Sequence, residues 1–500
     1  QNRHMLFDND LNPVLGIDLG TTFSAIARWD GHGPRVYQTR TGEDTLQSVV
    51  YLDPKTNELL VGKVAFRRGL IYPENMAIGI KRYMDDASQK IVLAGQAFSP
   101  IELSARILER LYKDVAEKCP TNLFRSRATV VTVPYYFKAH QCENTSKAAE
   151  LANINCIGLI QEPIAASLAY AWQIVQSSNA KKFAENILVF DLGGGTFDLT
   201  LFRLEKSPEK LLFEVLATGG DDRLGGMDFD ECLFQFLLEK ADLTLDGLTD
   251  LEERKARQKI LEQVIEAKHT LSATQTEYIT VTDVIPGRHI DTIVTRSEFE
   301  GCIQTYIDKI ERVMERLWAT TNMQPQQVDR VILVGGSSKI PCIKSLVSDI
   351  IGAVKVYQNT NPWLCVAEGA AIYAAYLDNP EVFGRNIEIR TRTSHALGVE
   401  IKEKEFYPLI AANRKTPCQQ TQVFSTTSDY QTSLDINIYQ GCDASVKNNT
   451  FIGTIGIYDL PKRPQGELDI WVTFNVNESQ MLSVIVEVEG IRKAATLKFA

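Results

Sequence analysis

The sequence predicts an α/β protein of two similar lobes followed by an all-β antiparallel sandwich. Three observations carry that expectation. Up to Leu377, short β-branched apolar runs alternate with amphipathic helical stretches. A glycine-rich strand–turn–strand motif occurs twice in that part of the chain. Beyond it the period of the apolar residues changes from that of helices to the strict alternation of strands.

In chain order, residues 1–13 are polar, lack the apolar stretch of a secretion signal, and read as a disordered tail or cloning remnant. The runs 14–17, 128–133, 186–190 and 330–334 are apolar and β-branched. Each ends in Gly, Pro or acidic residues, as buried strands do where they meet a loop. Helical stretches fill the intervals at 100–118, 141–152 and 251–271. In the last of these, Thr249 and Glu252 have the spacing of a capping box, and Leu261, Val264, Ile265 and Lys268 continue at helical period. Asp378-Asn379-Pro380 stops the final helix. From Ala396 the chain alternates: Leu434, Ile436 and Ile438, then Leu468, Ile470, Val472, Phe474 and Val476. After a polar turn at 477–480, Leu482, Val484, Val486 and Val488 resume the pattern. These signals divide the chain into a two-lobed domain at 14–382, a linker at 383–396 and a sandwich at 397–500.

Composition narrows the function. With 500 residues, about 150 per domain suggests roughly three units. Hydrophobic residues at 44% and charged residues at 23% fit a globular chain. Asp and Glu exceed Lys and Arg by 63 to 53, giving a net charge of −10, which opposes broad attraction to nucleic acid or anionic lipid. No apolar run is long enough to span a bilayer. Nine cysteines without a Cys-x-x-Cys pair read as free thiols in a reducing cytoplasm.

The repeated motif points to phosphate. Asp18-Leu19-Gly20-Thr21-Thr22-Phe23 and Asp191-Leu192-Gly193-Gly194-Gly195-Thr196-Phe197-Asp198 both end an apolar strand with Asp-Leu-Gly, add small hydroxyl residues, and resume a strand. Glycines let successive N–H groups approach an anion, and a strand-end aspartate can hold Mg²⁺ through water. One such hairpin is an ordinary turn; two facing hairpins could clamp a metal triphosphate. A third element, Gly335-Gly336-Ser337-Ser338-Lys339, follows another buried strand and leaves room for a base and ribose.

In this order the motifs resemble those of the actin, hexokinase and heat-shock ATPase superfamily, and more closely those of DnaK-type seventy-kilodalton heat-shock chaperones. Val131-Thr132-Val133-Pro134, Gln161-Glu162-Pro163-Ile164-Ala165-Ala166, Leu224-Gly225-Gly226-Met227-Asp228-Phe229-Asp230 and Gln422-Val423-Phe424-Ser425-Thr426 support the likeness. The resemblance implies an actin-like ATPase domain, a linker and a β-sandwich that binds extended apolar peptides, without the helical lid because the sequence stops at Ala500. It implies ATP and ADP as ligands, Mg²⁺ with K⁺ as a further cation, client polypeptides, a J-domain co-chaperone and a nucleotide exchange factor.

Carried over by motif, Lys81, Glu162, Asp191, Thr196 and Asp198 would be catalytic, and Asp18 and Asp191 would position Mg²⁺. Thr21 and Thr22 would touch phosphate, with Gly20, Phe23, Gly193, Gly194, Gly195, Gly225 and Gly226 shaping the cradle. Lys268, His269, Ser272, Gly335, Gly336, Ser337 and Lys339 would surround the nucleoside. The chain departs from the family pattern at Ile265, His269, Lys339, Trp363 and Leu364, all near the adenosine, and at Cys142, where relatives carry an arginine. Pro134 matches a proline that relays nucleotide state. In the sandwich, Val399, Ile401, Phe424, Leu434, Ile436 and Met481 would line the peptide groove, with Lys402 and Thr427 replacing its usual cover. The linker keeps Ile387 and Ile389 on one face and Glu388 and Arg390 on the other, so weakened strand docking is expected. A scaffold protein of the same fold stands as the alternative to a chaperone, and a sugar kinase as a third reading.

Overall fold

The computed structural model describes residues 12–118, 124–135, 137–177, 182–383, 386–477 and 481–497. The expected tail at 1–13 falls almost wholly outside them, as do 478–480 of the expected turn.

Two mixed sheets form the lobes. In the first, Val14–Asp18 pairs antiparallel with Phe23–Trp29 and parallel with Ala128–Val133, which pairs parallel with Cys156–Gln161. In the second, Phe183–Leu192 pairs antiparallel with Phe197–Lys206 and parallel with Arg330–Val334, and Lys210–Asp221 follows on the other side. The repeated motif therefore occupies the same place twice: Asp18 and Asp191 end their strands, and Phe23 and Phe197 begin the next. Burial on both faces explains the unbroken apolar runs, all six residues of Ala128–Val133 being buried.

Small residues let a helix seat closely on the first lobe's sheet. The helix Cys365–Asp378 is rich in alanine and lies so near Gly16 and Ala165 that Gly16 and Gly369 have no room for a side chain. A shared core runs between the sheets, with Val130, Ile164, Val189, Phe202, Phe213, Ile332 and Val366 buried together. Ile387 of the linker belongs to that same core. The helix Asp250–Thr270 starts on the expected capping box, with Thr249 accepting from the Glu252 amide. Among the described residues no helix is long and apolar enough to cross a membrane.

The sandwich has two four-stranded antiparallel sheets. One runs Phe406–Ile410, Leu397–Glu400, Ser433–Gln440, Thr450–Tyr458; the other runs Cys418–Phe424, Ile470–Val476, Leu482–Val488, Ile491–Leu497. The alternate residues Ile470, Val472, Phe474, Val476, Leu482, Val484, Val486 and Val488 all face its core. Between the domains, Asn386–Arg390 is a strand, parallel to Lys210–Asp221 and adding a fifth member to the second lobe's sheet. Docking of the linker is thus present. Its polar face is not left to solvent alone, since Glu388 meets Lys210 at 3.2 Å and Arg390 at 2.8 Å.

Candidate functional site

The two hairpins meet at their turns. Thr22 lies against Gly194 and Thr21 against Gly195, so closely that a Cβ on either glycine would overlap the threonine side chain. Behind the turns, strand ends and one helix start converge. Asp18 ends its strand and accepts a bond from Thr132 at 3.3 Å. Glu162 opens a helix directly after Cys156–Gln161. Asp191 and Asp198 face each other across the second hairpin. A crevice beyond the strand ends is where open α/β sheets place their ligands.

Lys81 enters from a short helix, Ile80–Tyr83, started by the left-handed Gly79 (φ 63°). The side chain is buried and forms an ion pair with Glu162. Burial opposes its charge, but Glu162, Asp18 and Asp191 outweigh that and hold the ammonium above the usual lysine range. The carboxyls shift upward as well, which for an acid favours the neutral form. Burial, with Glu162 adding repulsion, pushes Asp18 up to about 7. Burial followed by Glu162, Asp198 and Asp18 drives Asp191 well above the carboxylate range. Three buried carboxyl groups and the half-buried Asp18 share one ammonium, so their mutual repulsion opposes full ionisation until a further cation is supplied. Glu162, Asp191 and Asp198 each present an oxygen within 4.8 Å of the others, a donor set of the hard kind that Mg²⁺ takes. The residues present therefore fit a divalent cation.

Glycine turns build the remaining walls. A Cβ on Gly225 would run into Gly194, and one on Gly226 into Ser337 and Lys268. Asp228 fastens this turn by accepting from the Gly225 amide at 2.8 Å and from Arg82 at 2.7 Å, while Arg82 also donates to the Gly195 carbonyl at 3.0 Å. Lys268 is buried, 2.7 Å from Asp230, and Ser337 donates to the Gly193 carbonyl at 3.2 Å. Gly335 has φ 81°, which suits glycine alone, and its N–H donates to the Pro362 carbonyl at 3.0 Å. The structure thus gathers Asp18, Thr21, Thr22, Lys81, Glu162, Asp191, Thr196, Asp198, Lys268, Ser337 and the glycines around one crevice. His269 and Lys339 are exposed at its margin and Ser272 is half-buried. Sequence reasoning assigned nothing to Arg82, although it adjoins Lys81; its partner Asp228 is distant in the chain, and no local pattern signals the pair.

The expected peptide-groove residues separate into groups. Val399 and Ile436 are closed into the sandwich core. Ile401, Phe424 and Leu434 are half-buried against it, with Tyr407 edge-on to Phe424 at 5.4 Å. Lys402 and Thr427 are exposed beside them. Met481 lines a different space, a cavity of about 300 Å³ between the first lobe, the linker and the sandwich, where Pro134, Cys142, Leu159, Ile389 and Thr391 also lie. Burial pushes the Cys142 thiol up to about 12, so this thiol stays protonated.

Beside that cavity Arg392 joins three parts of the molecule. Tyr135 of the first lobe donates to its carbonyl at 2.7 Å and accepts from its N–H at 3.2 Å. Its guanidinium donates to the Val215 carbonyl of the second lobe at 2.9 Å and to the Asn413 carbonyl of the sandwich at 3.0 Å. Gln440, buried in the sandwich, accepts from the Ala139 amide at 3.0 Å, and Lys415 meets Glu214 at 3.2 Å. Neither Arg392 nor Tyr135 stood out in the sequence, because all their partners are remote.

Comparison with known proteins now adds to this geometry. The family model described as Hsp70 protein matches residues 14–92 and 84–499. The protein called chaperone protein dnaK in Cyanidioschyzon merolae is 34% identical over 512 residues, spanning 97% of this chain and 81% of its own. Its namesake in Cyanophora paradoxa is 34% identical over 513 residues, spanning 97% and 80%.

Proposed function

Because this chain belongs to the Hsp70 family, a family of nucleotide-binding chaperones, we propose that it hydrolyses ATP with Mg²⁺ and couples that reaction to the binding and release of extended apolar peptides. One observation supports this above the rest: the buried Lys81–Glu162 pair among Asp18, Asp191 and Asp198, where the two glycine-rich hairpins meet.

In this reading the amides and hydroxyls of Thr21, Thr22 and Thr196 orient the phosphates. Lys81, held by Glu162, places a positive charge where the transferred phosphoryl group and the attacking water meet. Asp198 orients that water or takes its proton. Asp18 and Asp191 would hold Mg²⁺, which would supply neutralisation of phosphate charge. Positioning and charge stabilisation carry most of the catalysis of phosphoryl transfer. Ile401, Phe424 and Leu434 form the apolar rim that receives peptide, and the docked linker ties the rim to the crevice. A J-domain co-chaperone and an exchange factor would regulate the cycle.

ATP turnover measured with and without an extended apolar peptide tests the reading. Lys81→Ala and Thr196→Ala should retain nucleotide and lose about two orders of magnitude in hydrolysis, as removal of charge or a donor at a transition state does. Full turnover in both would refute the assignment, and transfer of phosphate to a sugar instead of water would favour a kinase.

A further inference from the structure

Trp363 sits between the two lobes, directly before the helix Cys365–Asp378. The six-membered part of its indole rests on Gly336 of the second lobe, so closely that a Cβ there would overlap the ring. On the other side its ring meets Phe23 of the first lobe edge-on, 5.1 Å between centroids and 88° between planes. The Lys339 ammonium stands 5.9 Å from the same ring. One indole thus touches the phosphate hairpin of one lobe and the glycine turn of the other. The neighbouring backbone fixes its place, for Gly335 donates to the carbonyl of Pro362, and the Trp363 amide donates to the Asn361 side chain at 2.9 Å.

We propose that Trp363 is a positioning residue for nucleotide retention: its indole bridges Phe23 and Gly336, holds the crevice closed, and slows the release of a bound nucleoside diphosphate. This rests on the reading of the crevice as a nucleotide site. Edge-to-face aromatic packing is directional, so the contact exists only while the lobes keep this spacing. Opening by a few ångströms parts Phe23 from the indole or the indole from Gly336.

Release of methylanthraniloyl-ADP, loaded with Mg²⁺ and chased with unlabelled ADP, tests the proposal in the whole chain. Trp363→Ala should speed release about tenfold, equivalent to about 1.4 kcal/mol. Trp363→Phe, which keeps a ring against Phe23, should stay within about threefold of the unsubstituted chain, a smaller part of the same scale. Phe23→Leu provides a second route, leaving the indole on Gly336 and removing the edge contact; release should again quicken. A merely structural fault would lower the fraction of chains that bind and leave the release rate of the rest unaltered. Binding with unaltered release in Trp363→Ala and Phe23→Leu overturns the retention role alone. Failure of the unsubstituted chain to bind the probe overturns the nucleotide reading on which it rests.

Discussion

Removing the Arg392 side chain should loosen the linker and the sandwich together, because two of its bonds reach different domains. Arg392→Ala deletes charge-assisted bonds to the Val215 and Asn413 carbonyls, at 2.9 and 3.0 Å. A hydrogen bond from a charged group is worth about 1.5–3 kcal/mol net, and the lower end applies to each because the side chain is only half-buried. Water recovers part of both after separation. The docked arrangement should therefore weaken by about 2 kcal/mol, roughly 30-fold in the docking equilibrium. The ladder of Asn386–Arg390 on Lys210–Glu214 supplies the assay, since its amides exchange with solvent only when the linker leaves. Hydrogen exchange read by mass spectrometry should show protection of the 386–390 segment falling about 30-fold, while the Ile470–Val476 strand in the sandwich core is unchanged. Tyr135→Phe removes only the phenol's bonds to the Arg392 backbone and should cost about 1 kcal/mol. Unchanged linker protection in Arg392→Ala would refute the reasoning.

Other consequences follow from the same structure. His395 is buried near Lys138 of the first lobe, and burial first, then Lys138, lowers its pKa to about 4. A group whose folded pKa lies below its unfolded value of 6.5 takes up a proton on unfolding, so it costs stability as pH falls from 6.5 towards 4, by up to about 3 kcal/mol; in thermal melts His395→Phe should flatten that slope, and an identical slope would exclude His395 as its source. Gly225→Ala pushes a methyl into Gly194 and should weaken nucleotide affinity about tenfold or more, measured by calorimetry; unaltered affinity would mean that the turns need not touch. Leu434→Asp places a charge on the half-buried rim of the sandwich and should abolish saturable peptide binding in a fluorescence titration, whereas retained affinity would move the peptide site elsewhere.

Local patterns made much of this legible. The two Asp-Leu-Gly hairpins carried their meaning in sequence because strand ends, glycines and hydroxyls lie within nine residues, and Thr249 with Glu252 marked a helix start for the same reason. Alternation from Leu468 to Val488 revealed the sandwich because side chains on a strand change face at every residue. What escaped depends on distance along the chain. Burial of Lys81 follows from Glu162, Asp18 and Asp191 arriving from three separate strand ends or helix starts, and nothing around Ile80 announces it. Trp363 was visible as a departure from the family, but its perch on Gly336 required the fold. Met481 lies just before the strand Leu482–Val488, and its place in the interdomain cavity required the docked sandwich.

The linker strand also has a bearing on solubility. While Asn386–Arg390 is in place, the backbone groups along Lys210–Glu214 are occupied, and the edge of the second lobe's sheet is the short linker strand itself. Once the linker departs, that side becomes an open template carrying Leu211, Leu212 and Phe213, of the kind that recruits strands from other chains. Lys210 and Glu214 flank the apolar stretch; Lys210 loses Glu388 at that moment, and charges at both ends of the stretch act as guards against self-association. A segment of five residues that joins the domains therefore also covers the longer and more apolar strand beneath it.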